Sequence, residues 1–141
     1  LEDSLHFADR IIIPHAPRIV FLYSGDNDIN KGKTAERVVE DYRDFVKKLH
    51  RSLPKTRIVF LPIKPSLSRW EKWPEMEKAN LTIQAISAND PLLDYLDTST
   101  PMLGADGKPM PDLFKKDGLH LNDKGYQIWT KVVKKWLKAI E

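Results

Sequence analysis

The chain contains no cysteine among its 141 residues, so a disulfide framework and a thiolate metal site are both excluded. Proteins without cysteine occur in reducing and in oxidising compartments, so this absence leaves the cellular location open. No stretch is long and apolar enough to span a bilayer, and we expect no transmembrane segment. The first ten residues, LEDSLHFADR, lack the basic and apolar regions of a signal peptide and do not begin with methionine. That beginning is typical of a processed chain or of part of a longer one.

A large excess of charge is also lacking, because the net charge is only +3. The surplus is local and lies near the C-terminus, at Lys124, Lys131, Lys134, Lys135 and Lys138. Such a cluster is either a surface for an anionic partner or a solvated helix face near the negative end of the helix dipole. We favour the solvated face, since acidic residues elsewhere nearly balance the charge, and we expect no nucleic-acid partner.

Three apolar runs of strand length alternate with amphipathic helical patterns, at residues 18–23, 57–61 and 92–97. Helical spacing precedes the first run, separates the runs, and returns after about Asn122. This alternation predicts right-handed βαβ units, and therefore a parallel sheet between helices in a single α/β domain over residues 1–141.

Two parts of this domain are predicted to be deeply buried. The first apolar run has the composition of a strand that is covered on both faces. The last helix is predicted to bury a stripe that consists of Trp129, Val132, Val133, Trp136, Leu137 and Ile140.

A polar motif, Gly25-Asp26-Asn27-Asp28, directly follows the first apolar run. Ligands of parallel α/β sheets bind at the carboxyl ends of the strands, and this motif lies at such an end. The amide of Asn27 can donate a hydrogen bond to an oxyanion, while Gly25 allows a close backbone approach and Asp28 can accept backbone N–H bonds of the loop. The alternative is an ordinary turn rich in Asn, Asp and Gly.

A second motif, Asp117-Gly118-Leu119-His120, precedes the last helix. A histidine acts as a general base when a carboxylate holds its Nδ1 and leaves Nε2 free to take a proton. Asp117 can serve His120 in this way, because Gly118 lets the backbone bend tightly between them. The alternative is that Asp117 only makes a turn and that His120 lies at the helix start.

The two motifs, in this order, resemble those of the SGNH (GDSL-type) hydrolases, a family of esterases, lipases, thioesterases and carbohydrate acyl-esterases. The resemblance extends over essentially the whole chain and implies the three-layer αβα, flavodoxin-like fold of that family. It implies that Asn27 is an oxyanion donor, that Gly25 belongs to the same motif, that His120 is the general base and that Asp117 orients it. It implies a small-molecule ester substrate, no metal and no cofactor.

The chain departs from the family where the nucleophile should be. The family's nucleophilic serine lies near the end of the first strand, and a glycine in the second of the family's sequence motifs supplies a further oxyanion N–H. Both motifs should precede the first helix of this chain. Ser4 lies in Asp3-Ser4-Leu5, without a preceding strand or the expected glycine, and we interpret it as a helix cap. We therefore predict that the nucleophile lies outside this chain. The chain would then be the C-terminal part of a longer domain, without the first two strands of that domain.

The missing strands would leave the first apolar run at an open edge of the sheet. No charge or proline interrupts this run to discourage pairing with another polypeptide. We expect the edge to pair with a missing N-terminal segment or to mediate self-association.

A basic and aromatic loop follows the second strand and contains Arg69, Trp70 and Trp73. Aromatic walls with one cation suit a polar ester, so Arg69 and Trp70 are candidate substrate contacts. The alternative is that Trp70 only packs this loop against the next helix.

Two other classes of function compete with the hydrolase. A non-catalytic α/β module that binds a ligand or a strand would explain the missing nucleophile. A metal-dependent phosphoesterase would use Asp26, Asp28, Asp117 and His120 as ligands. The resemblance is consistent with an exported bacterial protein, although the sequence does not identify the compartment.

Overall fold

A computed structural model describes residues 1–140, which form a parallel sheet with helices on both faces. In chain order the elements are α1 (Glu2–Ile11), β1 (Ile19–Tyr23), α2 (Asp26–Asn30), α3 (Ala35–Ser52), β2 (Arg57–Leu61), α4 (Trp73–Ser87), β3 (Leu93–Tyr95) and α5 (Asp123–Ile140). The predicted alternation is confirmed, and no helix in this part of the chain is long and apolar enough to cross a membrane.

The three strands lie in the order β1-β2-β3, and both neighbouring pairs are parallel. Phe21 pairs with Val59, and Val59 pairs with Asp94. Strand β2 is central, so four of its five residues are buried. Within residues 1–140, β1 pairs only with β2, which leaves its other edge without a β partner.

One face of the sheet packs on α1, α3 and α4. This core contains Ala8, Leu22, Val39, Tyr42, Phe45, Leu49, Ile58, Phe60, Ile83 and Leu93. Helix α3 contributes Val39, Tyr42, Phe45 and Leu49 to this core, and Thr34 caps the helix by accepting the Arg37 N–H at 3.2 Å. The other face packs on α5, where Phe21 contacts Trp136 and Tyr23 contacts Trp129 edge to face.

Both burial predictions are corrected by the structure. Leu22 is the only fully buried residue of β1, and Phe21 is 38% exposed. In α5 only Gly125 is fully buried, whereas Trp129, Val132, Val133, Trp136 and Leu137 are half-buried and Ile140 is exposed. Strand β1 lies at an edge of the sheet within residues 1–140, so it has a strand neighbour on one side only.

The structure also differs from three local predictions. Helix α1 begins at Glu2 with Leu1 as its N-cap and no capping side chain, so Ser4 lies within the helix and does not cap it. The third strand is shorter than predicted, at Leu93–Tyr95. The residues after β1 form the short helix α2 rather than an irregular turn.

Replacing Gly25 by alanine should lower the free energy of unfolding by about 1–3 kcal/mol more than replacing Gly32, because only Gly25 is packed. Both glycines have a positive φ, 117° and 97°, so both alanines carry the strain of left-handed backbone. A Cβ on Gly25 would lie 2.8 Å from Ile63 Cδ1, whereas one on Gly32 meets nothing within 4 Å. Urea denaturation of both variants measures the difference, and equal losses would contradict it.

Candidate active site

A cavity of about 200 Å³ lies at the carboxyl end of β1, where the sequence predicted a site. Its walls come from the end of β1, the start of α2, the loop after β2, and the segment that leads into α5. The lining residues are Tyr23, Asp26, Asn27, Lys64, Arg69, Leu119, His120, Leu121, Tyr126 and Trp129. The structure therefore brings together Asn27 and His120, which are far apart in the sequence.

Asn27 lies in the first turn of α2 with its side chain exposed at the cavity. The turn forms because Gly25, with φ of 117°, redirects the chain from β1 into α2, and its carbonyl accepts the Ile29 N–H at 3.1 Å. The Asn27 Oδ1 atom accepts a hydrogen bond from Arg69 Nη1 at 3.0 Å. This contact leaves the amide nitrogen as the polar group that the side chain can offer to a ligand.

Asp28 does not accept backbone hydrogen bonds of the loop, contrary to the prediction. Its carboxylate lies 3.3 Å from Lys33 Nζ and 2.5 Å from the nitrogen of Leu1. Asp28 thus connects α2 to neighbouring segments and is not among the residues that line the cavity.

His120 and Asp117 form the pair that the second motif predicted. His120 Nδ1 lies 2.5 Å from Asp117 Oδ2, and the His120 side chain is 67% exposed. The other carboxylate oxygen of Asp117 accepts the N–H groups of Leu119 and His120 at 2.9 and 3.0 Å. Asp117 therefore makes both the turn and the contact with the imidazole, while His120 lies three residues before the start of α5.

The loop that carries this pair is tied to the loop after β2. Gly118, with φ of 64°, accepts the Ser68 N–H at 3.1 Å, and a Cβ on Gly118 would lie 3.2 Å from Leu67 Cβ. Since Arg69 follows Ser68, this hydrogen bond sets the distance between the Arg69 loop and the His120 loop.

A buried ionic cluster forms the floor of the cavity. The Asp26 carboxylate accepts from Lys64 Nζ at 3.0 Å and from Arg69 Nη1 at 2.5 Å. The side chains of Asp26, Lys64 and Arg69 are only 11%, 8% and 15% exposed, respectively. The Tyr23 hydroxyl completes the cluster, 3.3 Å from Asp26 and 3.1 Å from Lys64 Nζ. Burial, and then the charge of Asp26, raise the pKa of Tyr23, which therefore stays protonated.

Helix α4 holds the loop that supplies Lys64 and Arg69. The buried side chain of Asn80 accepts the Ile63 N–H at 2.8 Å and donates to the Ile63 carbonyl at 2.9 Å. Ser99 Oγ donates to the same carbonyl at 3.2 Å. An amide that makes both bonds substitutes for a strand partner, so the loop leaves β2 in one direction.

A model of the GDSL-like Lipase/Acylhydrolase family matches residues 3–128 of this chain. The chain belongs to this family. The expected resemblance to GDSL-type hydrolases is thereby confirmed, and hydrolases of this class are the relatives against which the site is best compared.

Solved structures confirm the fold of this family member. A GDSL-like lipase from Bacteroides thetaiotaomicron is 16% identical, with a TM-score of 0.79 over 97% of this chain and 70% of that one. A carbohydrate esterase family 3 protein from Talaromyces cellulolyticus is 21% identical, with a TM-score of 0.76 over 96% of this chain and 67% of that one. A family 3 carbohydrate esterase from Clostridium thermocellum is 17% identical, with a TM-score of 0.72 over 98% of this chain and 66% of that one.

The chain is shorter than the structures it resembles. It spans between 59% and 73% of the length of eight matching solved structures. A comparison with curated proteins finds no match.

No serine within residues 1–140 lines the cavity of this GDSL-family chain. The two hydroxyl groups that do line it belong to Tyr23 and Tyr126. Ser24 directly follows β1 but is absent from the lining, and Ser4 lies in α1.

The two candidate substrate contacts are placed differently. Arg69 lines the cavity, whereas Trp70 stacks on Trp73, with ring centroids 5.9 Å apart and planes 13° apart, outside the lining. The geometry thus matches the packing interpretation of Trp70. Sequence reasoning missed Lys64, although a lysine in the apolar segment Leu61-Pro62-Ile63-Lys64 directly after a strand was a usable signal.

The four side chains considered as metal ligands do not converge on one point. Asp26 is bound to Lys64 and Arg69, and Asp28 is bound to Lys33. Across residues 1–140, no group of three or more His, Asp or Glu side chains could hold a metal ion. The geometry therefore does not favour the metal-dependent phosphoesterase.

The carboxyl group of Asp117 should titrate below the ordinary Asp value of about 3.9. Its hydrogen bond with His120, then those with the Leu119 and His120 N–H groups, lower the pKa. The stability from this pair is therefore complete above the ordinary pKa and is lost as the pH falls through the lowered one. Carboxyl ¹³C NMR measures the midpoint, which should rise in His120→Ala. A midpoint at or above 3.9 in the unmodified protein would contradict the contact.

Proposed function

We propose that this chain supplies the histidine, the aspartate and the oxyanion donor of a serine carboxylic-ester hydrolase. The proposal rests on one observation. In a member of the GDSL-like Lipase/Acylhydrolase family, the carboxylate-bound His120 and the amide of Asn27 line the same cavity. These are the groups that acyl transfer needs, a general base with a fixed tautomer and a donor for the oxyanion.

In the first half of the reaction, a serine hydroxyl attacks the ester carbonyl. Because Asp117 holds Nδ1, His120 Nε2 takes the hydroxyl proton as the C–O bond to the serine forms. The Asn27 amide N–H stabilises the negative charge on the former carbonyl oxygen. The intermediate collapses when the bond to the alcohol breaks and His120 returns the proton to that alcohol.

In the second half, water attacks the acyl-serine. His120 removes a proton from the water, the acid product leaves, and the serine regains its hydrogen. Asp117 stabilises the imidazolium in both halves, and its lowered pKa keeps it ionised while it does so. The residues of this chain require no metal or cofactor for these steps.

We propose that the serine belongs to a polypeptide segment that pairs with the open edge of β1. The proposal is supported by the cavity, which no serine of residues 1–140 lines, and by β1, which has a β partner on one side only. The half-exposed apolar faces of β1 and α5 are further support, because a paired strand would cover them.

The substrate that fits this cavity best is a small, polar ester. Tyr126 and Trp129 provide aromatic walls, while Lys64 and Arg69 place two cations against the single carboxylate of Asp26. Aromatic walls with a few polar groups suit an acyl ester of an alcohol such as a carbohydrate. Two of the similar structures are carbohydrate esterases, which supports the same class.

His120→Ala should reduce labelling of the active serine by a fluorophosphonate about 100- to 10,000-fold, because the general base is lost. The full-length natural protein is labelled and the modified peptide is identified by mass spectrometry. His6→Ala is the matched control, since His6 is an exposed helical residue outside the cavity lining and should leave labelling unchanged.

The position of the adduct tests each part of the proposal. An adduct outside residues 1–141 that depends on His120 supports both the hydrolase and the external serine. An adduct on Ser4 or Ser24 would contradict the external serine. Failure of folded protein to react would contradict the hydrolase.

Failure to react would favour the second candidate function, a non-catalytic binding module. The observation in its favour is the same lack of a serine at the cavity among residues 1–140. In that case the cavity binds a ligand through its cations and amide without turning it over.

Asn27→Ala should lower the rate of ester hydrolysis by the full-length protein about 100- to 1000-fold, because one oxyanion donor is lost. Asn30→Ala is the control, since Asn30 is an exposed residue of the same short helix and does not line the cavity. Steady-state kinetics on an activated acetyl ester compare the two variants. Equal rates would remove Asn27 from the mechanism.

A further inference from the structure

The amide of Asn27 can face the cavity in two ways, and only one of them serves an oxyanion. With Nδ2 toward the cavity the side chain presents two hydrogen-bond donors, and with Oδ1 toward it the side chain presents an acceptor. An acceptor would repel the negative charge that develops on the substrate oxygen. The orientation of this amide therefore decides whether Asn27 can act at all.

Arg69 contacts the Asn27 side chain directly. Its Nη1 donates to Asn27 Oδ1 at 3.0 Å, and Nδ2 of Asn27 has no acceptor within residues 1–140. A guanidinium group has five N–H donors and no acceptor, so it can bind only the oxygen of an amide. Rotating the amide by half a turn would place its NH₂ group against a cation, which is unfavourable.

The position of Arg69 is itself fixed by the buried cluster. The same Nη1 donates to Asp26 at 2.5 Å, and Asp26 is held from its other oxygen by Lys64 at 3.0 Å. Arg69 is 15% exposed, and its neighbour Ser68 is bound to the Gly118 carbonyl at 3.1 Å. The guanidinium group therefore has little freedom to leave Asn27.

We propose that Arg69 is a positioning residue, which orients the Asn27 amide so that its N–H groups point into the cavity. Lys64 and Asp26 support Arg69 in this role. The catalytic meaning of the orientation rests on the proposed function, whereas the orientation itself is a property of the folded chain. This separation allows a test without substrate or nucleophile.

The test measures ¹⁵N relaxation of side-chain NH₂ groups in the labelled protein. The Asn27 signal is assigned by its loss in Asn27→Asp. We expect an order parameter of about 0.85 for Asn27, as for rigid groups, and below about 0.6 for Asn30, which is exposed and has no such partner. Asn30 thus serves as an internal control on the same helix.

Arg69→Gln should lower the Asn27 order parameter to about that of Asn30, because glutamine can bind either end of the amide. Arg69→Lys should keep it close to the unmodified value, since an ammonium group also has donors only. A residue that only stabilised the fold would not separate these two variants. Arg69→Met replaces Arg69→Gln if the backbone amides of β2 show that the glutamine variant is unfolded.

Two results would overturn the proposal. One is an Asn27 amide as mobile as that of Asn30 in the unmodified protein, which needs no variant. The other is an amide that stays rigid in folded Arg69→Gln. If ester hydrolysis is absent while Arg69→Gln frees the amide, the hydrolase proposal fails and the positioning role stands.

Discussion

The candidate site depends on one buried carboxylate, that of Asp26. Its two cationic partners come from the loop after β2, so the ion pairs join the end of β1 to that loop. Leaving a buried charge without partners costs several kcal/mol, which forces the two segments to stay together. Asn27 directly follows Asp26 and accepts a hydrogen bond from Arg69, so the placement of this proposed oxyanion donor follows from an electrostatic requirement in the floor of the cavity.

The fold was largely predictable because local sequence patterns indicate its strands and helices. Apolar runs and 3.6-residue spacing depend on neighbours in the sequence, and they located the three strands and the long helices correctly. Helix α2 was missed because a positive φ at Gly25 starts it, and a glycine in a polar motif predicts a turn equally well. The burial of Phe21 and Trp136 was overestimated, since burial depends on what lies beyond an edge.

The site was predictable only in part. The positions of Asn27, Asp117 and His120 follow from motifs, because a strand end and a tight turn restrict them locally. The contacts of Lys64 and Arg69 with Asp26 join residues far apart in the chain, and no periodicity encodes such pairs. The role of Asn80 was equally unpredictable from the sequence. A polar residue within a helix predicts an exposed side chain, whereas Asn80 binds the backbone of Ile63.

The strands lie across the sheet in the order in which they occur along the chain. During synthesis each strand can therefore add to the one already made, so the sheet grows in the direction of translation. Helix α5 breaks this progression, because it returns from the far end of the chain to place Trp129 and Trp136 against β1. His120 lies just before that helix. A nascent polypeptide can thus pair β1, β2 and β3 while the cavity is still open on one side, and the later segment that contains His120 and α5 closes the cavity.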